Sequence, residues 1–186
     1  LTSSDGTSWT ERTSETSKYL SGVTYGNGLF VTVGPGTILT SSDGNSWNER
    51  TSGTTNDLSG VTYGNGLFVT VGWKTILTSS DGTSWTEGSW TSENLEGITY
   101  GNGLFVTAGQ SGTILTSSDG NSWNERTSGT SEDLSGVTYG NGTFVTVDQS
   151  SSGTILTSSD GTSWTESTSG TSKYLEGITF GNGLFV

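Results

Sequence analysis

This sequence predicts an all-β fold, a five-bladed β-propeller of four-stranded antiparallel blades, and three observations carry the prediction. Ser-Ser-Asp-Gly-Xaa-Ser-Trp occurs five times, with its tryptophan at Trp9, Trp47, Trp85, Trp123 and Trp164, spaced 38, 38, 38 and 41 residues apart. Between the copies, Val/Ile-Thr-Tyr/Phe and Phe-Val blocks recur in every unit, while no window shows a 3.6-residue apolar period and glycine interrupts the chain every few residues. A unit of this size holds four strands of about five residues, and copies of such a sheet bury their faces only against one another.

The first two strands of a unit, A and B, are expected at residues 20–25 and 29–33, joined at Asn27-Gly28. A tight turn that matches strand twist needs positive φ at both central positions, which Asn and Gly tolerate. Strands C and D are expected at residues 37–42 and 46–51, joined by the same logic at Asp43-Gly44. The resulting blades span about 20–51, 58–88, 95–127 and 134–168 of a single domain, residues 1–186. The chain starts inside a strand C and stops inside a strand B, so a fifth, composite blade is expected from 175–186 and 1–13, closing the ring.

Composition narrows the chemistry. Only 27% of residues are hydrophobic, a value that leans towards disorder, but their strict placement in repeated blocks decides for a packed fold. The net charge of −12 repels a phosphate backbone, so nucleic acid and anionic membrane surfaces are not expected partners. Without Cys or His, the chain lacks thiolate nucleophiles, cysteine metal sites and the commonest general base, and no cofactor or metal is expected. No stretch approaches the ~20 apolar residues of a membrane-spanning helix, and no signal peptide is recognisable. The absence of Met points to a processed product or a piece of something longer, and the cysteine-free acidic composition favours an exported or bacterial cell-surface protein. A monomer is expected.

Ser3-Ser4-Asp5-Gly6-Thr7-Ser8-Trp9 and its four copies resemble the Asp-box of sialidases and bacterial propellers of the BNR-like (bacterial neuraminidase repeat) group. The resemblance covers the whole chain, with one departure: Asp and Gly are adjacent, making the box a residue shorter than usual. It implies a structural role for Asp5, Asp43, Asp81, Asp119 and Asp160, whose carboxylates suit turn N–H groups, and inter-blade packing for the five box tryptophans. A sialidase-like site needs converging arginines, whereas Arg12, Arg50 and Arg126 occupy equivalent positions on separate blades. Glu11, Glu49, Glu87, Glu125 and Glu166 likewise recur on strand D, where charge protects an edge, instead of pairing 5 to 10 Å apart (the order expected of glycosidases). No catalytic residue is assigned, and a glycoside hydrolase is the least favoured reading.

Comparing the units separates constant from variable parts. The A–B and C–D turns are nearly uniform and lie at one end of each blade, whereas the B–C loops and D-to-A linkers differ and lie at the other. That second face carries the candidate ligand-binding residues Tyr19, Trp73, Lys74, Trp90, Gln110, Asp148, Gln149 and Tyr174, with aromatic surfaces and hydrogen-bonding groups suited to a protein or glycan. The expected function is a non-enzymatic binding module. The alternative is a structural scaffold, recently amplified or engineered from one blade, with no dedicated ligand.

Overall fold

The computed structural model describes residues 1–14, 16–88 and 91–186. The first sheet contains β1 (Gly22–Gly26), β2 (Leu29–Gly34), β3 (Thr37–Ser41) and β4 (Asn48–Arg50), paired antiparallel in that order. The second contains β5 (Leu58–Gly64), β6 (Leu67–Gly72), β7 (Thr75–Ser79) and β8 (Thr86–Glu87), and the third β9 (Leu95–Gly101), β10 (Leu104–Gly109), β11 (Ile114–Ser117) and β12 (Asn124–Arg126). The fourth contains β13 (Leu134–Gly140), β14 (Thr143–Asp148), β15 (Thr154–Ser158) and β16 (Thr165–Thr168). A last hairpin joins β17 (Phe180–Gly181) to β18 (Leu184–Phe185), and Thr2 bridges Thr10 near the start of the chain. The molecule is an all-β propeller, and its only helical element among the described residues is a 3₁₀ turn, Gln110–Gly112, inside a B–C loop.

The A–B turns follow from local chemistry. Asn27, Asn65, Asn102, Asn141 and Asn182 have φ between 47 and 50°, each followed by a glycine with φ between 75 and 79°. Each turn therefore has positive φ at both central residues, and the strands pair directly beside it, as in Gly26 opposite Leu29. The C–D connection is different. Asp43-Gly44 does not form a two-residue turn, because the last C–D pair in the first sheet is Thr40 opposite Asn48, leaving the box as a wide loop. The Asp43 carboxylate spans that loop by accepting backbone N–H groups, which replaces the ladder bonds that a tight turn would make.

Blades pack through a repeated cluster. Val31, Val33 and Ile38 of the first sheet meet Leu58, Val61, Phe68 and Leu77 of the second, with Trp85 against them. The same arrangement joins Val69, Val71 and Ile76 to Leu95, Phe105 and Leu115, and Val106, Ala108 and Ile114 to Leu134, Val137, Phe144 and Leu156. The A strands of successive sheets come into direct contact because glycine faces the neighbouring backbone. A Cβ on Gly60 would lie 3.3 Å from the Glu96 carbonyl oxygen, and one on Gly97 would lie 3.1 Å from the Val137 nitrogen. At the other end of strand A, the rings of Tyr63, Tyr100, Tyr139 and Phe180 lie on Gly26, Gly64, Gly101 and Gly140 of the preceding sheet.

The expected closing ladder of the ring is, like the two-residue C–D turn, not formed among the described residues. β18 pairs only with β17, and the backbone hydrogen bonds of the Leu1–Thr10 hairpin lie within it, so no ladder among the described residues joins the halves of the composite blade. Each internal B–C junction is held by a short turn, at small loop-closure cost. The two half-blades share no such turn. Val23, Tyr25, Leu184 and Val186 are exposed at the two ends of the blade array.

Candidate functional site

On the variable face, backbone hydrogen bonds tie linkers to neighbouring B–C loops. Gly36 N–H donates to the Asn56 carbonyl, and Trp73 N–H donates to the carbonyl of Asp57, the linker residue next to Asn56. Gln110 and Gly112 donate to Asn94 and Glu132, Gln149 donates to Asp133, and Leu175 donates to Asp148. Loops and linkers thus lie together, and their irregular backbone is satisfied internally.

On this frame Tyr19, Trp73 and Tyr174 are 85, 52 and 65% exposed. Lys74 has φ of 55°, where the first blade has Gly36 at 54°. A left-handed conformation is unusual for a side chain of this kind and marks a locally strained position. Trp90 lies outside the described residues.

Gln110 is held within a polar cluster, accepting from Asn94 Nδ2 at 3.0 Å and donating to Glu96 Oε1 at 3.4 Å. Asp133 Oδ1 accepts from Ser111 N–H at 2.8 Å. Burial pushes the half-buried Glu96 carboxyl above its ordinary range, the Asp133 charge adds to the rise, and the bond from Gln110 opposes it. Gln149 Nε2 donates to Glu176 at 2.8 Å.

Asp148 is fully buried, with Oδ2 accepting from Ser150 and Ser152. Burial pushes its carboxyl up, but the hydroxyl bonds outweigh this and leave it below the ordinary value. Glu96 and Glu176 were not among the residues singled out by sequence. The signal was available: Ser21, Ser59 and Ser135 occupy the equivalent position in the other copies.

The opposite face is built from the boxes. Asp43 Oδ1 accepts from Asn45 N–H at 2.8 Å, Ser46 N–H at 2.9 Å and the Ser41 hydroxyl at 3.0 Å. Its Ser46 and Asn45 backbone bonds lower the Asp43 pKa to about 2, and those of Ser122 and Asn121 lower Asp119 to about 2. Asp5, Asp81 and Asp160 are depressed further by the same kind of bonds. The Trp9, Trp47, Trp85, Trp123 and Trp164 indoles each donate to the carbonyl of the glycine three residues earlier. Arg12, Arg50 and Arg126 each donate through Nε to a threonine on strand C of their own half-blade or blade, at 2.9 Å.

No protein-family model matches the chain, and no curated protein sequence matches it. Solved structures do. The chain is similar to virginiamycin B lyase from Staphylococcus aureus, with a TM-score of 0.76 and 17% identity over 88% of this chain and 60% of that one. It is similar to YCF48 bound to D1 peptide, with a TM-score of 0.73 and 20% identity over 91% of this chain and 60% of that one. The computationally designed Ika8 protein matches with a TM-score of 0.68 and 11% identity over 89% of this chain and 54% of that one. The chain therefore spans about three fifths or less of the length of these structures. At these identities the likeness shows a shared β-propeller fold.

Proposed function

We propose that this protein is a non-enzymatic binding module that holds a peptide segment of another protein on its variable face. The observation that carries this reading is Trp73, an exposed ring on a loop fastened by its backbone hydrogen bond to the Asp57 carbonyl, together with Tyr19 and Tyr174, exposed on linkers. Rigid aromatic surface on an ordered frame binds with little ordering cost. The YCF48 neighbour, solved with a peptide, supports a protein ligand over a glycan. The separate tethering of the three arginines supports the absence of a sialidase-like centre. The serine, aspartate and tryptophan contacts of each box support its assignment as an Asp-box turn shortened by one residue.

A peptide and glycan array followed by titration tests the proposal. Saturable peptide binding is expected, with Trp73→Ala raising Kd about 30-fold, the equivalent of ~2 kcal/mol at an aromatic hot spot. Binding that is unaffected by Trp73→Ala and Tyr174→Ala, or turnover of a glycoside by the purified protein, overturns it. Binding of nothing on either array supports the scaffold reading, which the resemblance of the blades to one another and the designed Ika8 neighbour favour.

A further inference from the structure

A cleft of about 750 Å³ lies at the outer rim between the first and second sheets. Small-molecule sites commonly have ~300–1,000 Å³. Arg50 and Glu87 line this cleft together with the linker at 51–56, whereas Tyr19, Trp73 and Tyr174 do not. The strand registers place its two charged residues opposite each other. Arg50 pairs with Ile38 on β3, and Glu87 pairs with Leu77 on β7. Residues directly opposite in a ladder share a face of the sheet, and Ile38 and Leu77 pack in the one cluster that joins these two sheets. The guanidinium and the carboxylate therefore stand on facing walls.

Both groups keep hydrogen-bonding capacity in reserve. Arg50 uses Nε on Thr40 Oγ1, and its terminal N–H groups have no hydrogen bond or ion pair among the described residues. Glu87 departs from its counterpart in the first blade. There Glu49 accepts from Thr37 Oγ1 at 3.1 Å, but Thr75, which has the place of Thr37, is buried with Oγ1 unpartnered among the described residues. The Glu87 carboxylate thus leaves its own strand-C threonine and is available to the cleft. The linker is already ordered. Ser52 Oγ donates to the Thr54 carbonyl at 2.9 Å, Asn56 N–H donates to Thr54 Oγ1 at 3.1 Å, and Gly36 N–H fastens the Asn56 carbonyl at 2.9 Å. The Asn56 side-chain amide has no hydrogen bond among the described residues and adds a donor and an acceptor to the cleft.

We propose that this inter-blade cleft binds a neutral saccharide, held between the Arg50 guanidinium and the Glu87 carboxylate. A guanidinium only donates and an ionised carboxylate only accepts, whereas a hydroxyl does both. A molecule with several hydroxyls can therefore accept from Arg50, donate to Glu87 and use both ends of the Asn56 amide. An organic anion would suit Arg50 but face Glu87, and an ammonium group would suit Glu87 but face Arg50. The arrangement recurs between the third and fourth sheets, where Arg126 lines a cleft of about 590 Å³ with the linker at 127–130. Arg126 pairs with Ile114 and Glu166 with Leu156, and these two partners again share one inter-sheet cluster. Between the second and third sheets Gly88 has the place of the arginine, so that interface lacks the donor wall.

Amide chemical-shift titration of the isotope-labelled chain tests this, with glucose, galactose, N-acetylglucosamine, maltose and lactose as probes and glycine and acetate as charged controls. At least one sugar should shift the amides of residues 51–56 and Glu87 saturably, with Kd below ~10 mM. Glu87→Gln removes the charge from an exposed side chain and should leave the melting midpoint unchanged. It should raise Kd at residues 51–56 about tenfold, as expected for a lost bond to a charged group. Shifts at residues 127–130 should persist in the same variant, because they report the other cleft. Trp73→Ala should alter neither set, so the outcome is independent of peptide binding at the aromatic face. Absence of saturable shifts at 51–56 with every sugar overturns the proposal. So does an unchanged Kd in Glu87→Gln, or saturation of this cleft by glycine or acetate and not by any sugar.

Discussion

Replacing Gly101 by alanine places a methyl carbon 2.6 Å from Tyr139 Cβ and closer still to its ring. Rotation about the tyrosine side-chain bonds moves the ring but not Cβ, so relief requires β9 and β13 to separate. Overpacking of this kind costs ~1–3 kcal/mol. At ~2–4 °C per kcal/mol for a chain of this length, the melting midpoint should fall by about 2–12 °C. Gly181 has the same place in the repeat but nothing within 4 Å. Gly181→Ala should therefore gain ~0.4–1 kcal/mol from the reduced freedom of the unfolded chain. Thermal denaturation followed by circular dichroism compares the two. Equal midpoints for the two variants would refute the account of blades packed ring on glycine.

Further outcomes follow from the core and the boxes. Phe105 is fully buried between the second and third sheets, and Phe105→Ala should cost ~3–5 kcal/mol in denaturant unfolding. A loss below 1 kcal/mol would contradict its central position. The Asp43 and Asp119 carboxyls are depressed from 3.8 to about 2, so their stabilisation is present above pH 3.8 and disappears as pH falls towards 2. The melting midpoint should decline through that window, and the decline should be shallower in Asp43→Asn/Asp119→Asn. An unchanged acid profile in the double variant would remove these carboxylates from the explanation.

The sequence was most informative where structure is set within a few residues. Asn27-Gly28 and its copies specify their turns because both residues accept positive φ, and strands β2 and β3 follow from apolar blocks beside them. Asp43-Gly44 carries the same turn signal but forms a loop, because the carboxylate of Asp43 has nearby N–H partners that compete with the ladder. The pairing across the composite blade was not legible, since it would join segments at opposite ends of the sequence, which no short segment encodes. At the variable face, loop differences between copies mark Trp73 and Gln110 but not Glu96, which lies on strand A beside the loops. Asp148 is the converse case. It differs from Gly34, Gly72 and Gly109 at the end of strand B, yet its carboxylate is buried and bonded to its own loop.

On the proposed function, uniform blades position a binding surface formed by the residues that break their symmetry. Its most direct measurement is calorimetric titration of an array-selected peptide into the wild-type chain and into a variant whose Trp73-Lys74 is replaced by the Pro-Gly found at Pro35-Gly36. The account predicts at least a tenfold loss of affinity. Stability should be retained or raised, because glycine accepts the left-handed φ that Lys74 holds at 55°. Undiminished affinity in a variant that melts at the wild-type temperature would contradict it.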